Sequence, residues 1–275
     1  MSTIEAIVLG IVQGLTEFLP ISSTAHLRIV PAFAGWGDPG AAFTAVVQLG
    51  TTVAVVLYFR RELWRVARAW LASVRRRDLA PVDLDARLGW FLIVATVPIS
   101  IFGLAFQHAI ETQARNLYLI AGALIVVGFG MLAAERVATR QRPLSDVRLR
   151  DAVTVGFAQA LALVPGVSRS GSTISAGLLL GLERAAAARF SFLLSIPAIV
   201  LSGLFELHKL LDGSAHQTAS AGAVVIATGL AFVTGYASIA FLLRYLQTHT
   251  MFAFVVYRVA LGAAVLALAT AGLIS

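Results

Sequence analysis

Six uninterrupted apolar runs dominate the sequence, at roughly 42–60, 88–107, 117–135, 188–207, 221–243 and 252–273, each bounded by charged or turn residues. A helix needs about 20 such residues to cross a bilayer core. The runs are continuous and do not alternate over about ten residues, so a transmembrane β-barrel does not fit. Charged residues make up 13% of the chain and hydrophobic ones 59%, where a soluble domain carries about 25% charged. A water-soluble fold of this size could not hide that much apolar surface. The sequence predicts an all-α, polytopic membrane protein forming a single integral membrane domain over 1–275.

Two further stretches are apolar but broken. The first, about 4–35, is interrupted by Pro20, Ser22, Ser23, Thr24, His26, Arg28 and Pro31. The second, about 152–183, is interrupted by Pro165, Gly166, Ser168, Arg169, Ser170 and Gly171. Irregular backbone survives at membrane depth only where it is buried in protein or lines a wet cavity. Both stretches are therefore read as re-entrant helix–loop–helix hairpins, added to six transmembrane helices.

The formal net charge is +7, yet nucleic acid is not the expected partner. Thirteen of the twenty arginines fall in two segments between apolar runs, Arg60 to Arg87 and Arg136 to Arg150. That is the positive-inside pattern of cytoplasmic loops. With both segments in the cytoplasm, the first hairpin and the C-terminus lie on the outer side. The N-terminus, Met-Ser-Thr-Ile-Glu, lacks a basic region and a small-residue cleavage site and does not read as a signal peptide. Without cysteine the chain can form neither a disulfide framework nor a thiolate metal site.

The two halves, approximately 1–140 and 150–275, share an order of residues. Gly10-Ile-Val-Gln-Gly-Leu15 matches Gly156-Phe-Ala-Gln-Ala-Leu161, and a proline followed by a Ser-rich loop comes after each. Three spans follow each hairpin. An odd number of spans per half forces opposite orientations, which makes an inverted repeat with its site expected near the midplane, where discontinuous helices meet.

Chemistry concentrates in the two breaks. Gln13 and Glu17 are four apart and share a helical face. A carboxylate inside an apolar segment marks a functional site by default, although Glu17 could also pair structurally. Ser22, Ser23, Thr24 and His26 follow Pro20 directly; the hydroxyls serve either chemistry or a helix N-cap. The second break, Pro165-Gly-Val-Ser-Arg-Ser-Gly-Ser-Thr173, holds Gly166, Ser168, Arg169, Ser170, Gly171, Ser172 and Thr173. Glycine lets amides approach an anion, a helix starting near Ser172 aims its dipole at the loop, and Arg offers a planar fork to phosphate oxygens. The segment reads as a phosphate cradle but lacks the closing Gly-Lys-Ser/Thr of a Walker loop. Arg189 and Arg258 have two open roles, phosphate neutralisation or pairing at a helix end. Gln48 and Gln159 are read as hydrogen-bonding the hairpins. His108, His208, His216 and His249 lie near span ends, and no histidine cluster has transition-metal spacing.

The segments Gln13-Gly-Leu-Thr-Glu17-Phe-Leu-Pro-Ile-Ser-Ser-Thr-Ala-His26 and Pro165 to Thr173, with Gln48-Leu-Gly, closely resemble the signature motifs of the bacterial undecaprenyl-diphosphate phosphatase (bacitracin-resistance) family. The resemblance covers nearly the whole chain. It implies a hydrolase that converts undecaprenyl diphosphate to undecaprenyl phosphate and phosphate, recycling the lipid carrier for peptidoglycan and other envelope polymers, with bacitracin resistance as a consequence. It further implies a multi-pass protein of the bacterial cytoplasmic (inner) membrane, a site open to the periplasmic side, and a divalent cation, Mg²⁺ or Ca²⁺. Carried over by position, Glu17, Ser23, His26 and Arg169 are catalytic. Gln13, Ser22, Thr24, Gly166, Ser168, Ser170, Gly171, Ser172 and Thr173 bind phosphate, and Glu17, with Gln13 as a second candidate, holds the metal. Many members carry Glu where this chain has Gln13, which has no charge, so Glu17 is the only acid of the motif. The nucleophile stays open among Ser23 (with His26 as its base), His26 and water. Partners are a polyprenyl diphosphate and membrane lipids, with a homodimer as an allowed state. The alternative function is an inverted-repeat secondary transporter or polyprenyl-phosphate flippase, which needs no hydroxyl–imidazole pair beside an acid; a structural subunit of a larger complex is a third reading.

Overall fold

The computed structural model describes residues 1–77, 83–106, 116–211 and 220–274. The described residues are helical apart from their connections, with a lone β-bridge joining Arg142 and Leu182. His108 and His216 lie outside them, as does the side chain of His208.

The first broken stretch forms α1 (Thr3–Phe18) and α2 (Ser23–Ala34). A capping box starts α1: the Glu5 amide donates to Ser2 Oγ at 3.2 Å and the Ser2 amide to Glu5 Oε2 at 3.0 Å. It ends at Leu19, which is extended ahead of Pro20, the conformation a following proline imposes. Gly35 closes α2 in the left-handed region at φ 68°.

The expected span 42–60 is α3 (Gly40–Tyr58), which turns by 79° into α4 (Arg60–Arg75). The Ala42–Tyr58 part of α3 reaches spanning length only together with α4. The arginine segment read as a loop is therefore mostly a helix. Glu62, Val66 and Ser73 recur at helical spacing and turn inward, while Trp64, Leu71 and Val74 stay exposed. A basic helix with an outward apolar stripe lies in the plane of a membrane interface.

Five helices are each long and apolar enough to span: α5 (Leu84–Ala105), α6 (Leu117–Val137), the Arg184–Gly203 part of α9 (Arg184–Leu211), α10 (Ala221–Thr248) and α11 (Phe252–Thr270). α5 starts four residues ahead of the expected 88 because Asp83 caps it, accepting from the amides of Asp85 and Ala86 at 2.8 and 3.1 Å. The second broken stretch forms α7 (Leu149–Ala160) and α8 (Arg169–Leu179). Its first helix also starts early, at Leu149: buried Asp151 accepts from the Arg148 amide at 2.9 Å and from Arg142 Nη2 at 2.5 Å.

Each hairpin's first helix packs on a helix of the other half, α1 along α10 and α7 along α5. Glycine makes both approaches close. A Cβ at Gly10 would sit 2.4 Å from Ala227 O, and one at Gly156 would sit 2.6 Å from Ala95 O. Lipid offers no hydrophobic gain for helix association, so small residues at the contact let van der Waals packing supply it. The spans α6 and α11 pack on each other, α3 packs on α9 and α10, and α8 sits against α6, α7 and α9.

Candidate active site

The breaks of the two hairpins meet. Each begins its second helix with the same unusual element, a serine N-cap at positive φ: Ser22 at φ 73°, ψ 98° and Ser168 at φ 71°, ψ 118°. A non-glycine residue there is strained and persists only where the surroundings fix it. Ser22 Oγ accepts from the Ala25 amide at 3.4 Å and Ser168 Oγ from the Gly171 amide at 3.1 Å. Each also contacts the hydroxyl two residues on, Thr24 or Ser170, at 3.2 Å.

Buried Arg258 of α11 fixes both loops. Fully enclosed, its guanidinium donates to Pro20 O in the first loop at 3.1 Å and to Gly166 O and Val167 O in the second at 2.7 and 3.1 Å, with Leu124 O of α6 at 3.4 Å. It bonds backbone carbonyls from two separate breaks rather than a single helix end. Ser170 Oγ adds a link across the breaks, donating to Leu19 O at 3.0 Å.

Glu17 lies where these constraints converge. Its Oε2 accepts from Gln13 Nε2 at 2.9 Å and from Ser23 Oγ at 2.6 Å; its Oε1 accepts from Gln48 Nε2 at 2.8 Å and from the guanidinium of Arg169. A buried carboxylate is tolerable only when charge-paired and fully bonded, and here four donors from three helices and the start of α8 converge on it. Arg169 therefore reaches across the two breaks to the first motif, and Gln48 joins from α3. Both side chains are largely covered, Arg169 at 14% exposure against 3% for Glu17, so Arg169 is the more accessible of the two.

His26 is oriented independently. Its Nδ1 lies 2.7 Å from Ser22 O and its Nε2 2.7 Å from Tyr257 Oη. A carbonyl can only accept, so Nδ1 carries the ring proton and Nε2 presents its lone pair to the Tyr257 hydroxyl. Ser23, expected beside His26 as its base, instead donates to Glu17. Sequence reasoning missed Tyr257; its position next to Arg258 on α11 was the available signal.

The second loop's hydroxyls are spent on the fold. Ser172 Oγ donates to Ser168 O at 2.9 Å, and Thr173 Oγ1 donates to Arg169 O at 2.7 Å and meets Ser191 Oγ at 2.5 Å. The amides of Gly171 and Ser172 bond Ser168 Oγ and O. Gly166 is required by its φ of 95° and by close packing, since a Cβ would lie 2.7 Å from Ile120 O. Gln159 is buried with Nε2 3.5 Å from Ala95 O. Arg189 is away from the site, paired with Glu62 of α4 at 2.6 Å, and His249 stacks on Tyr245 at 4.5 Å.

No group of three or more His, Asp, Glu or Cys side chains gathers among the described residues. The donors near Glu17 suit a hard cation in kind: its carboxylate, Ser23 Oγ, and Gln13 Oε1, a buried oxygen without a partner among the described residues. They bring a single negative charge, already shared with Arg169, so they fit a divalent ion only jointly with anionic oxygens from a ligand.

Comparison with known proteins agrees with this arrangement of motifs. The family model described as bacitracin resistance protein BacA matches residues 6–264. A Nocardioides sp. protein named undecaprenyl-diphosphatase is 52% identical over 272 residues, covering 99% of this chain and 98% of the relative. Proteins of the same name from Myxococcus xanthus and Prosthecochloris aestuarii are 53% and 48% identical, covering 100% and 99% of this chain and 92% and 99% of their own lengths. Two motif-bearing breaks joined through Glu17 and Arg169, on a helical membrane frame matched nearly end to end, place this chain in the bacitracin resistance protein BacA family.

Proposed function

We propose that this protein hydrolyses undecaprenyl diphosphate to undecaprenyl phosphate and inorganic phosphate, the activity its relatives' names state. The observation that carries the reading is the pairing of Glu17 with Arg169, 152 residues apart in the chain and brought together at the two breaks. A diphosphate lipid needs a polar site bordering apolar helices, and these breaks lie among spans. We place the protein in the bacterial inner membrane with the site toward the periplasm, because both arginine-rich segments then face the cytoplasm. Carrier recycling for envelope polymers and bacitracin resistance follow from that reaction. The paired glycine contacts of Gly10 and Gly156, and the shared conformation of Ser22 and Ser168, support reading the halves as an inverted repeat.

In the reaction we propose, the terminal phosphate displaces Glu17 as the partner of Arg169. Ser23 Oγ then attacks phosphorus: the Oγ–P bond forms, the anhydride P–O bond breaks, and polyprenyl phosphate leaves. The hydroxyl proton passes to Glu17 Oε2, 2.6 Å away. In the second step water attacks phosphorus of the phosphoserine: its proton passes through the Tyr257 hydroxyl to His26 Nε2, the Oγ–P bond breaks as Glu17 returns its proton to Ser23 Oγ, and phosphate departs. Arg169 balances charge throughout, which is most of what phosphoryl transfer requires. Glu17 and Gln13 Oε1, with diphosphate oxygens, would hold Mg²⁺ or Ca²⁺; when bound, the ion supplies charge neutralisation.

The test is phosphate release from a polyprenyl diphosphate by the purified protein, with and without Mg²⁺ or Ca²⁺ and with a chelator control. Glu17→Ala and Arg169→Ala are expected to insert and purify but release no phosphate. Near-normal turnover by either refutes its role, and a trapped phosphate on His26 rather than Ser23 refutes the nucleophile. Lipid movement across vesicles without phosphate release would establish the transporter reading instead.

A further inference from the structure

The basic helix α4 keeps positive charge that the fold does not use. Arg65 bonds Asp85 at 3.1 Å and Arg189 holds Glu62 at 2.6 Å. Arg60 donates to Leu57 O at 3.1 Å, and Arg61 makes no ion pair among the described residues. Both residues are exposed. They open on a cleft of about 590 Å³ between the α3–α4 elbow, α9 and α10. Four guanidinium groups line it, those of Arg60, Arg61, Arg65 and Arg189, against the single carboxylate of Glu62.

Apolar surface adjoins this charge. Trp64, 64% exposed, stands three and four residues from Arg61 and Arg60 and so shares their side of α4, with Leu71 further along. On α10, Tyr236 shares a helical face with Leu243 and Gln247, which line the cleft, and its ring meets Tyr58 of the elbow at 5.3 Å. A soluble anion would use the arginines and gain nothing from these strips.

We propose that the cleft binds the phosphate head group of an anionic glycerophospholipid in the leaflet on the arginine-rich face. One acyl chain follows Trp64 and Leu71 along α4, and the other follows the Tyr236 side of α10. Basic clefts between membrane helices recognise such head groups through charge and proximity to the interface. The site is separate from the hairpin breaks: Gln48, which bonds Glu17, is ten residues before Tyr58 on α3, about 15 Å along a helix.

The experiment is lipid retention by the purified full-length protein, delipidated and then offered phosphatidylglycerol or phosphatidylcholine, with bound lipid counted by native mass spectrometry. Wild-type protein should hold one phosphatidylglycerol under conditions that strip phosphatidylcholine. The double variant Arg60→Gln/Arg61→Gln should weaken that retention about 25-fold, fivefold per arginine, the usual worth of a basic side chain near an anionic surface. Arg75→Gln/Arg76→Gln, at the far end of α4, should leave it unchanged. Arg61→Gln alone should give the fivefold loss with an unaltered unfolding midpoint, which keeps the test valid if the double variant folds poorly. Equal retention of both lipids, undiminished retention in the Arg60/Arg61 variants, or an equal loss at Arg75/Arg76 would overturn the proposal. So would displacement of phosphatidylglycerol by substoichiometric polyprenyl phosphate, which would make the occupant the polyprenyl lipid.

Discussion

Replacing Arg258 by Met keeps a long apolar stem and removes the fork that joins the two breaks. The fully enclosed guanidinium makes three bonds of 3.1 Å or less, one to Pro20 O and two to Gly166 O and Val167 O. A charged donor contributes about 1.5–3 kcal/mol per bond in proteins generally. Within membranes the measured value is nearer 1 kcal/mol, because the unfolded chain also finds partners. The membrane figure is the apt one here, giving about 3 kcal/mol for three bonds. If it falls on the alignment of the loops, the population with Glu17 opposite Arg169 drops about a hundredfold. The assay is phosphate release from a polyprenyl diphosphate alongside the thermal unfolding midpoint. Arg258→Met should lose about two orders of magnitude in kcat. Arg258→Lys, which can still reach one carbonyl, should recover part of it. If Arg258→Met stays within threefold of wild type in rate and unchanged in midpoint, the clamp argument is wrong, and the Ser170–Leu19 and Arg169–Glu17 links alone hold the loops.

Two other substitutions test the same frame. Gly10→Ala and Gly156→Ala should each cost about 1–3 kcal/mol of stability by overpacking, since the new Cβ would sit 2.4 Å from Ala227 O or 2.6 Å from Ala95 O; Gly122→Ala, with nothing within 4 Å of its Cβ, is the control whose midpoint should not fall. Tyr257→Phe removes the hydroxyl 2.7 Å from His26 Nε2 and should lower kcat about fivefold with KM unchanged, the worth of one hydrogen bond of about 1 kcal/mol. Combined with His26→Ala it should add no further loss, and an additive loss would show that Tyr257 acts elsewhere.

The legible parts of the site were those that depend on local spacing. Gln13 and Glu17 fall on one face because a helix repeats every 3.6 residues, and the Gln13–Glu17 bond at 2.9 Å follows from that. The helix after the second break starts at Arg169, three residues before the expected Ser172, because Ser168 supplies the cap. Nothing local distinguishes Ser23 bonded to Glu17 from Ser23 bonded to His26, since all three lie within one short segment; the turn at Ser22 decides it. The segment from Arg60 reads as loop charge because an amphipathic helix has too few apolar residues to stand out as a span, yet Val66 and Ser73 turn inward on α4.

That this chain lives in lipid, is helical, and breaks its helices twice at Pro- and Ser-rich segments carrying Glu17, His26 and Arg169 is written in its residue pattern. Apolar length and backbone hydrogen-bond satisfaction leave no other solution in a bilayer. Tertiary structure alone decided which long-range partners those breaks acquire: Arg169 and Gln48 on Glu17, Tyr257 on His26, Arg258 on both loops. These are contacts between residues far apart in the chain, fixed by how helices pack through glycine contacts rather than by any local periodicity, and no spacing rule along the sequence encodes them.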